Sequence, residues 1–191
     1  PGQTRIGFFD AAGIVQHVWL CRDDQPDLIG SVHRARIEQL FANQNRAQGR
    51  LADGTAISIR LPKNHWSAVA VGAVAVVTIT AAPRHGKAWQ AVLDARLVTA
   101  TLVVLPGQST VTISRRCDDA AAMRELAAAL RVPEGFGVIV RRQAKAIDRA
   151  QLQASLDELV TDWQAMYARC DPAMPGMLYS GGNLCQRACR F

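Results

Sequence analysis

The distribution of apolar and polar positions divides most of the chain into short strands and confines helical spacing to its C-terminal half. Residues 5 to 20 place apolar runs on both sides of the segment Asp10–Gly13, which predicts a β-hairpin. From residue 30 to residue 98 the pattern changes to short stretches separated by turn signals, of which Asp53-Gly54 is the strongest. Five strands in this order predict a small closed barrel of the OB type.

A second pattern of strands and helices follows the predicted barrel. The apolar stretches on either side of Pro106–Ser109 predict a further hairpin. Asp118 or Asp119 is then a suitable N-cap for a helix with apolar residues at helical spacing, which must end before Pro133. Val138–Val140 predicts a short buried strand after that helix.

A long amphipathic helix completes the C-terminal unit. Asp148 is its predicted N-cap, with Gln151 three residues later in a capping-box arrangement. The apolar stripe of this helix is expected to pack on the strand at Val138–Val140. The stripe comprises Leu152, Leu156, Leu159, Val160, Trp163, Met166 and Tyr167.

Together these elements predict an α+β protein rather than one continuous parallel sheet. The predicted order is a hairpin over residues 1–29, a five-stranded OB-fold barrel over 30–98, a small α+β unit with two helices over 99–179, and a tail over 180–191. A chain of 191 residues is long enough for two small domains with cores of their own.

Composition and charge narrow the class of partner. Of the residues, 49% are hydrophobic and 20% are charged, so a folded chain is expected rather than a disordered one. The formal net charge of +6 favours polyanions. No apolar run reaches the roughly 18 residues of a membrane span, and no signal-peptide pattern opens the sequence. We expect a cytoplasmic protein with no membrane partner, and its oligomeric state stays open.

The five cysteines do not form a metal-binding pattern. Cys185 and Cys189 have a C-x3-C spacing without a second pair nearby, and the four histidines are scattered. No cysteine has the local signature of a catalytic nucleophile. We therefore expect reduced thiols, no metal site and no cofactor bound by this chain.

Two arginine pairs flank the first helix of the C-terminal unit. Arg115-Arg116 follows one predicted strand, and Arg141-Arg142 follows the strand at Val138–Val140. We expect the two pairs to converge on one small region, where they need either open solvent or an anionic partner. A terminal phosphate is such a partner, since it accepts several hydrogen bonds and carries up to two negative charges.

Several motifs in this half of the chain occur in a specific order. They are ISRR at 113–116, PEGFGVIVRR at 133–142, Trp163 in the long helix, and PGMLY at 175–179. This order resembles the ribonuclease E/G family of bacterial endoribonucleases. The resemblance implies that residues 1–29 begin an RNase H-like subdomain, that the barrel is an RNA-binding OB-fold of the ribosomal S-one type, and that the unit after it senses the RNA 5′-monophosphate. Single-stranded RNA is the implied partner, in RNA processing or decay.

The resemblance also implies which residues hold the 5′-phosphate. Arg141 matches the family's phosphate-binding arginine, and Val103 matches a position whose backbone contributes. Thr99 stands where a glycine is usual, and its side chain is expected to narrow the approach to the backbone. Arg142 stands where a threonine is usual, so it either replaces the hydroxyl as a donor or points away. The alternative for Arg141 is a bond to a carboxylate or exposure to water.

The barrel residues implied for RNA binding are basic rather than aromatic. At two positions where the family usually has phenylalanine, this chain has Arg50 and Arg60, and Lys87 matches the family's lysine before the last barrel strand. Strand alternation adds Arg34 and Arg36 to this set. The alternative is that these arginines are only the solvated face of alternating strands.

Catalysis in the family requires two aspartates that hold Mg²⁺, and the resemblance places them beyond Phe191. We therefore expect no catalytic residue here and predict an RNA-binding portion that does not cut RNA by itself. Two alternatives remain. The chain is part of a nuclease whose metal site is supplied by a C-terminal region, or the barrel is a protein-interaction module that has lost RNA binding.

Overall fold

The computed structural model describes residues 2–22, 27–62, 69–83, 86–115 and 117–182. The helices in these ranges are α1 (Ala120–Ala128) and α2 (Arg149–Arg169), with short 3₁₀ turns at Ala42–Gln44 and Arg142–Ala146. Neither described α-helix has the length and apolar character of a membrane span. The strands are β1 (Gln3–Phe9), β2 (Val15–Arg22), β3 (Val32–Phe41), β4 (Arg46–Arg50), β5 (Ala56–Arg60), β6 (Val74–Ala81), β7 (Trp89–Val92), β8 (Leu97–Val98), β9 (Leu102–Pro106), β10 (Val111–Ile113), β11 (Phe136–Val140) and β12 (Gly176–Tyr179).

The N-terminal hairpin is present as predicted and forms a two-stranded antiparallel sheet of β1 and β2. Its turn is closed by the Asp10 carboxylate, which accepts hydrogen bonds from the backbone N–H groups of Ala12 (3.0 Å) and Ile14 (2.9 Å). These bonds lower the pKa of Asp10. The large exposed apolar side chains of the hairpin are Phe9, Ile14, Val15, Val18 and Leu20.

The predicted barrel is confirmed. Its strand order is β3-β4-β5-β7-β6, and a second pairing of β6 with β3 closes the five-stranded barrel. β5 and β7 are parallel, and the other neighbours are antiparallel. This order is that of an OB-fold. Its core consists of Ala35, Ile37, Ala47, Leu51, Ile57, Ile59, Leu61, Val69, Val77, Ile79 and Ala91.

A close approach between β3 and β4 requires a glycine. The register of this pair shifts between Ile37 and Gln39, which is a β-bulge in β3. A Cβ atom on Gly49 would lie 2.7 Å from the backbone carbonyl oxygen of Arg36 and 3.3 Å from the Cδ1 atom of Ile59. Any side chain at this position would therefore push the two strands apart.

The last barrel strand is shorter than the predicted Trp89 to Val98, because a bend divides this segment into β7 and β8. The Thr78 hydroxyl stabilises the bend. It donates to the carbonyl of Asp94 (2.7 Å) and accepts from the backbone N–H of Arg96 (3.0 Å). As a result, β8 leaves the barrel and pairs with β9 in the next sheet.

The second sheet has the order β10-β11-β9-β8, so the predicted hairpin between residues 99–105 and 110–113 is wrong. β10, α1 and β11 form a crossover unit in which the two strands are parallel neighbours. β11 lies between β9 and β10 because its residues are almost all buried, whereas β10 is largely exposed. The more buried of the two parallel strands thus lies inside the sheet, and the more exposed one lies at its edge.

Both helices begin at the predicted caps. Asp119 accepts a hydrogen bond from the N–H of Ala122 (3.3 Å), and Asp148 accepts one from the N–H of Gln151 (2.8 Å). The stripe of α2 is buried from Leu152 to Trp163 and shares one core with strand β11, as predicted. Met166 and Tyr167, at the end of the stripe, are 37% and 45% exposed.

β3 belongs to both halves of the structure. One edge of β3 pairs with β6, and the other pairs first with β12 and then with β4. The segment after β12 passes so close to the start of β3 that a Cβ atom on Gly181 would lie 2.6 Å from the Ser31 nitrogen. Gly181 also has a positive φ of 76°, which favours glycine. The C-terminal segment is therefore held directly against the barrel.

Arg34 connects the same two halves through its side chain. It points outward from the barrel, yet it is only 3% exposed, because α2 and β12 cover this part of β3. Its Nη1 atom donates to the carbonyl of Cys170 at the end of α2 (2.6 Å), and its guanidinium lies 4.5 Å from the ring centroid of Tyr167. The cation thus binds the negative end of the helix dipole and an aromatic face.

We expect Arg34→Lys to lower the free energy of unfolding by about 1.5–3 kcal/mol, the range for a hydrogen bond to a charged group. Lysine keeps the charge but lacks the planar guanidinium that reaches both Cys170 and Tyr167. Urea unfolding of both proteins measures the difference. Arg36→Lys is the matched control on the exposed part of the same strand, and its expected cost is below about 0.5 kcal/mol. Equal costs for the two variants would contradict this role of Arg34.

His33 is a buried ionisable group on the barrel side of β3. It is 6% exposed, and its Nε2 atom lies 2.7 Å from the hydroxyl of Ser31. That hydroxyl donates its proton to the carbonyl of Leu28 (2.6 Å), so Nε2 must carry a proton and donate to Ser31. Burial lowers the pKa of His33, against a smaller opposing effect of Asp53. Burial therefore disfavours the protonated form of His33.

Since the pKa of His33 is lower in the folded chain than its ordinary 6.5, stability should fall on acidification. Above pH 6.5, His33 is mostly neutral in both the folded and the unfolded chain. Below pH 6.5, the unfolded chain binds the proton more readily than the folded chain. We expect the free energy of unfolding to decrease between about pH 7.5 and about pH 5.5, and to decrease less in His33→Gln. Urea unfolding at both pH values tests this. An identical decrease in both proteins would contradict it.

Candidate nucleic-acid interface

The parallel strands β10 and β11 end side by side and bring basic residues to one edge of the second sheet. Ile113 pairs with Val140, and the backbone N–H of Ser114 donates to the Val140 carbonyl (2.8 Å). Arg115 and Arg141 therefore leave the sheet next to each other, as predicted. Arg116 lies outside the described residues. The N-terminus of α1 follows at the same edge, where strand ends and helix N-termini commonly bind anions.

Arg141 is held at this edge by two hydrogen bonds. Its backbone N–H donates to the carbonyl of Thr101 (2.8 Å), and its Nη1 atom donates to the carbonyl of Thr99 (2.5 Å). The residue is half-buried. A guanidinium is planar, so the bond to Thr99 orients the whole group at the sheet edge. We call the group of Thr99, Ser114 and Arg141 the sheet-edge cluster.

Thr99 contributes to this cluster through its backbone carbonyl. Its hydroxyl accepts from the backbone N–H of Leu102 (3.0 Å) and donates to the carbonyl of the same residue (3.2 Å). The hydroxyl is therefore directed into the turn between β8 and β9. The side chain that replaces the family's usual glycine stabilises this turn, and the carbonyl remains directed at Arg141.

Val103 does not have the geometry expected of a phosphate-binding backbone. Arg141 donates to Thr101 at 2.8 Å, and Ile139 pairs with Val103 two residues along each strand. In an antiparallel ladder, this spacing makes Val103 and Ile139 a hydrogen-bonded pair. The Val103 backbone is therefore used within the sheet, and we leave it out of the proposed phosphate contacts.

Arg142 is exposed and begins the 3₁₀ turn after β11. It has no hydrogen-bond or ion-pair partner among the residues that the structure describes. The same turn carries Lys145, whose Nζ atom lies 3.9 Å from a carboxylate oxygen of Asp119 at the N-terminus of α1. Both groups are exposed, so this contact adds little to stability. The turn thus places two further cations, Arg142 and Lys145, beside the sheet-edge cluster.

Of the five barrel residues predicted to bind RNA, four are exposed and one is buried. Arg36, Arg50 and Arg60 are exposed on the outer face, and Lys87 is exposed in the loop before β7. Arg34 is a correction to the prediction, because its guanidinium is buried against α2 and cannot reach a nucleic acid. Alternation along β3 indicated correctly that Arg34 points outward, but not that another element covers it.

Two of the exposed arginines already have partners within the protein. Arg50 makes a two-bond contact with the carboxylate of Glu38 (2.7 and 3.3 Å) and also donates to the carbonyl of Gly54 (2.9 Å). The hydrogen bond to Glu38 raises the pKa of Arg50. Arg36 donates to the carbonyl of Gly72 (2.9 Å). Neutralisation by Glu38 leaves Arg50 less attraction for an external anion than its position suggests.

Arg46 is an interface candidate that the sequence analysis did not identify. It stands directly opposite Arg60 on the neighbouring strand. Its Nη1 atom donates to the hydroxyl of Ser58 (3.0 Å) and to the side-chain oxygen of Gln90 (3.3 Å). Counting equal distances back from the Asp53-Gly54 turn would have identified the pair, because that turn sets the register of β4 and β5.

Among the described residues, no group of three histidine, cysteine, aspartate or glutamate side chains is placed to hold a metal ion.

Comparison with known proteins agrees with this arrangement. Residues 97–191 match the model of the ribonuclease E/G family. Ribonuclease G from Escherichia coli (strain K12) is 23% identical over 212 aligned positions, which cover 100% of this chain and 43% of that protein. Ribonuclease G from Shigella flexneri is similar to the same extent. The chain thus spans less than half the length of these relatives.

The family match covers the sheet-edge cluster together with α1, α2 and β12, while the similarity to Ribonuclease G extends over the barrel as well. The closed five-stranded barrel is the architecture expected from that resemblance. By this match, residues 97–191 of the chain belong to the ribonuclease E/G family.

Proposed function

We propose that this chain is the RNA-binding part of a ribonuclease E/G-type protein acting in RNA processing or decay. The barrel holds single-stranded RNA on the outer face of β4 and β5, and the sheet-edge cluster holds the 5′-monophosphate. The observation that carries the proposal is the orientation of Arg141 by the Thr99 carbonyl at the edge where β10, β11 and α1 meet. Family membership supports RNA as the partner.

The chemistry of the sheet-edge cluster suits a terminal phosphate. An oriented guanidinium forms two parallel hydrogen bonds with phosphate oxygens, which a lysine cannot reproduce. Arg142 and Lys145 add positive charge nearby, and the N-terminus of α1 adds a partial positive charge. A 5′-hydroxyl group offers none of the charge that these groups would neutralise. The cluster should therefore distinguish the two kinds of RNA end.

Cleavage is not assigned to the described residues. In the family, two aspartates that hold Mg²⁺ supply that chemistry. Because the chain spans only 43% of Ribonuclease G, cleavage by a longer protein of this type is a separate proposal that these residues do not test. Their proposed role is to bind the RNA and orient its 5′ end.

The first prediction from this proposal concerns RNA binding by the barrel. Affinity for a single-stranded RNA should fall as salt is raised from about 50 to about 200 mM, with a log–log slope of roughly 0.7 for each phosphate neutralised. Lys87→Gln should reduce that slope by about one such increment. Arg131→Gln, which removes one exposed charge after α1, is the control and should leave the slope unchanged. Salt-independent affinity, or no RNA binding, would contradict the proposal and favour a protein-interaction module.

The second prediction concerns the 5′ end. Wild type should bind 5′-monophosphorylated RNA about 10- to 100-fold more tightly than the 5′-hydroxyl form, the range of one charge-assisted contact. Arg141→Lys should lose most of this preference while binding the 5′-hydroxyl RNA as before. Fluorescence anisotropy with both RNAs measures it.

Two controls separate recognition from folding. Arg131→Gln lies at the opposite end of β11 and should keep the preference, and thermal unfolding should show that Arg141→Lys is folded. A wild type without preference for either RNA end would show that the sheet-edge cluster does not recognise a 5′-phosphate. A preference that survives in Arg141→Lys would assign it to other residues.

A further inference from the structure

The outer face of β4 and β5 carries two arginines in direct opposition. Arg46 and Arg60 are register partners on these antiparallel strands, and Ala47 and Ile59 beside them point into the barrel core. Both arginine side chains therefore stand on the same outward face. Like charges at directly opposed positions destabilise a sheet. Their pairing suggests a requirement other than stability.

Among the residues that the structure describes, no carboxylate forms an ion pair with either arginine of this pair. In the part of the chain that the structure describes, Arg50 is ion-paired with Glu38 and Arg96 with Asp94, whereas neither Arg46 nor Arg60 has an ion-pair partner. The side chains that accept hydrogen bonds from Arg46 are the neutral ones of Ser58 and Gln90. The site is thus a concentration of positive charge that an external anion would relieve.

The Arg46 guanidinium is oriented before any ligand binds. One of its nitrogens is held by Ser58 and Gln90, and Gln90 is itself fixed by donating to the Ala88 carbonyl (3.0 Å). The side chain crosses β5 towards β7, where Ser58 and Gln90 are register partners. An oriented side chain loses less conformational entropy on binding, which favours affinity. Arg60, by contrast, is exposed and adaptable.

Base stacking has no platform on these two strands. The sequences of β4 (RAQGR) and β5 (AISIR) contain no aromatic residue. Trp89, on the neighbouring strand, packs against the barrel core. OB-fold proteins that hold single strands usually combine a basic groove with stacked aromatics. On the described residues of β4 and β5, only the basic half of that combination is present.

We infer that Arg46 and Arg60 form a clamp for consecutive phosphates of the nucleic-acid backbone, and that this barrel binds its ligand without reading the bases. The inference deepens the proposed function and rests on it, because it specifies what the RNA-binding face recognises. The ligand class is a flexible phosphodiester chain, with the bases directed to solvent. Affinity then depends on the number of phosphates and not on base identity.

The test compares a single-stranded RNA with an abasic ribose-phosphate chain of equal length, at the same salt concentration. Wild type should bind the two within about threefold. Arg46→Gln and Arg60→Gln should each weaken both complexes about tenfold, consistent with the loss of one charge-assisted contact. Arg96→Gln removes the same charge from an arginine already paired with Asp94 and should change neither affinity by more than about twofold.

Each result separates the inference from the proposed function. If RNA binds at least tenfold more tightly than the abasic chain, the bases contribute and the inference is wrong, although RNA binding stands. If the two arginine variants behave like Arg96→Gln, the clamp lies elsewhere on the chain. If wild type binds neither chain, the proposed function fails as well. Thermal unfolding of every variant shows that the comparison is made on folded protein.

Discussion

The burial of the Arg34 guanidinium between the barrel and the end of α2 constrains how the barrel and the C-terminal unit are arranged. A buried cation is costly unless it is hydrogen-bonded, and this one is stabilised by the Cys170 carbonyl and the Tyr167 ring. The Cys170 carbonyl and the Tyr167 ring are within reach of Arg34 only when α2 is fully formed and packed on β3. β12 then pairs with the same stretch of β3, and Gly181 fits against its start. The barrel and the second sheet therefore have a defined relative position, which the two proposed RNA-contacting surfaces require.

The two surfaces use different physical means to attract an anion. The sheet-edge cluster depends on precise orientation, because a single guanidinium is directed by the Thr99 carbonyl at a place where strand ends and a helix N-terminus meet. The barrel face depends on an excess of charge, in which two opposed arginines have no acidic partner among the described residues. The first arrangement suits recognition of one terminal phosphate, and the second suits a long chain of equivalent phosphates. On the outer face of β4 and β5 the OB topology thus carries arginines and no aromatic side chain.

Most of the fold was predictable because its determinants are local. The Asp53-Gly54 turn sets the β4 and β5 register, and Asp119 and Asp148 cap the helices whose starts they predicted. The wrong hairpin after β9 has a different cause, since β11 displaces β10 through burial against helices far along the sequence. The wrong assignment of Arg34 to the RNA-contacting face has a similar cause. Its partner Cys170 is 136 residues away, and alternation along one strand does not reveal what covers that strand.

Hydrogen–deuterium exchange with and without a 5′-monophosphorylated single-stranded RNA tests the central claim most directly, because it maps both surfaces in one experiment. We expect the backbone amides to exchange more slowly in two places: in β4 and β5 around Arg46 and Arg60, and at the sheet edge around Ser114 and Arg141. With a 5′-hydroxyl RNA, only the barrel protection should remain. Protection confined to other segments, such as the exposed β1–β2 hairpin, or no protection at all, would contradict the claim that these two surfaces bind RNA.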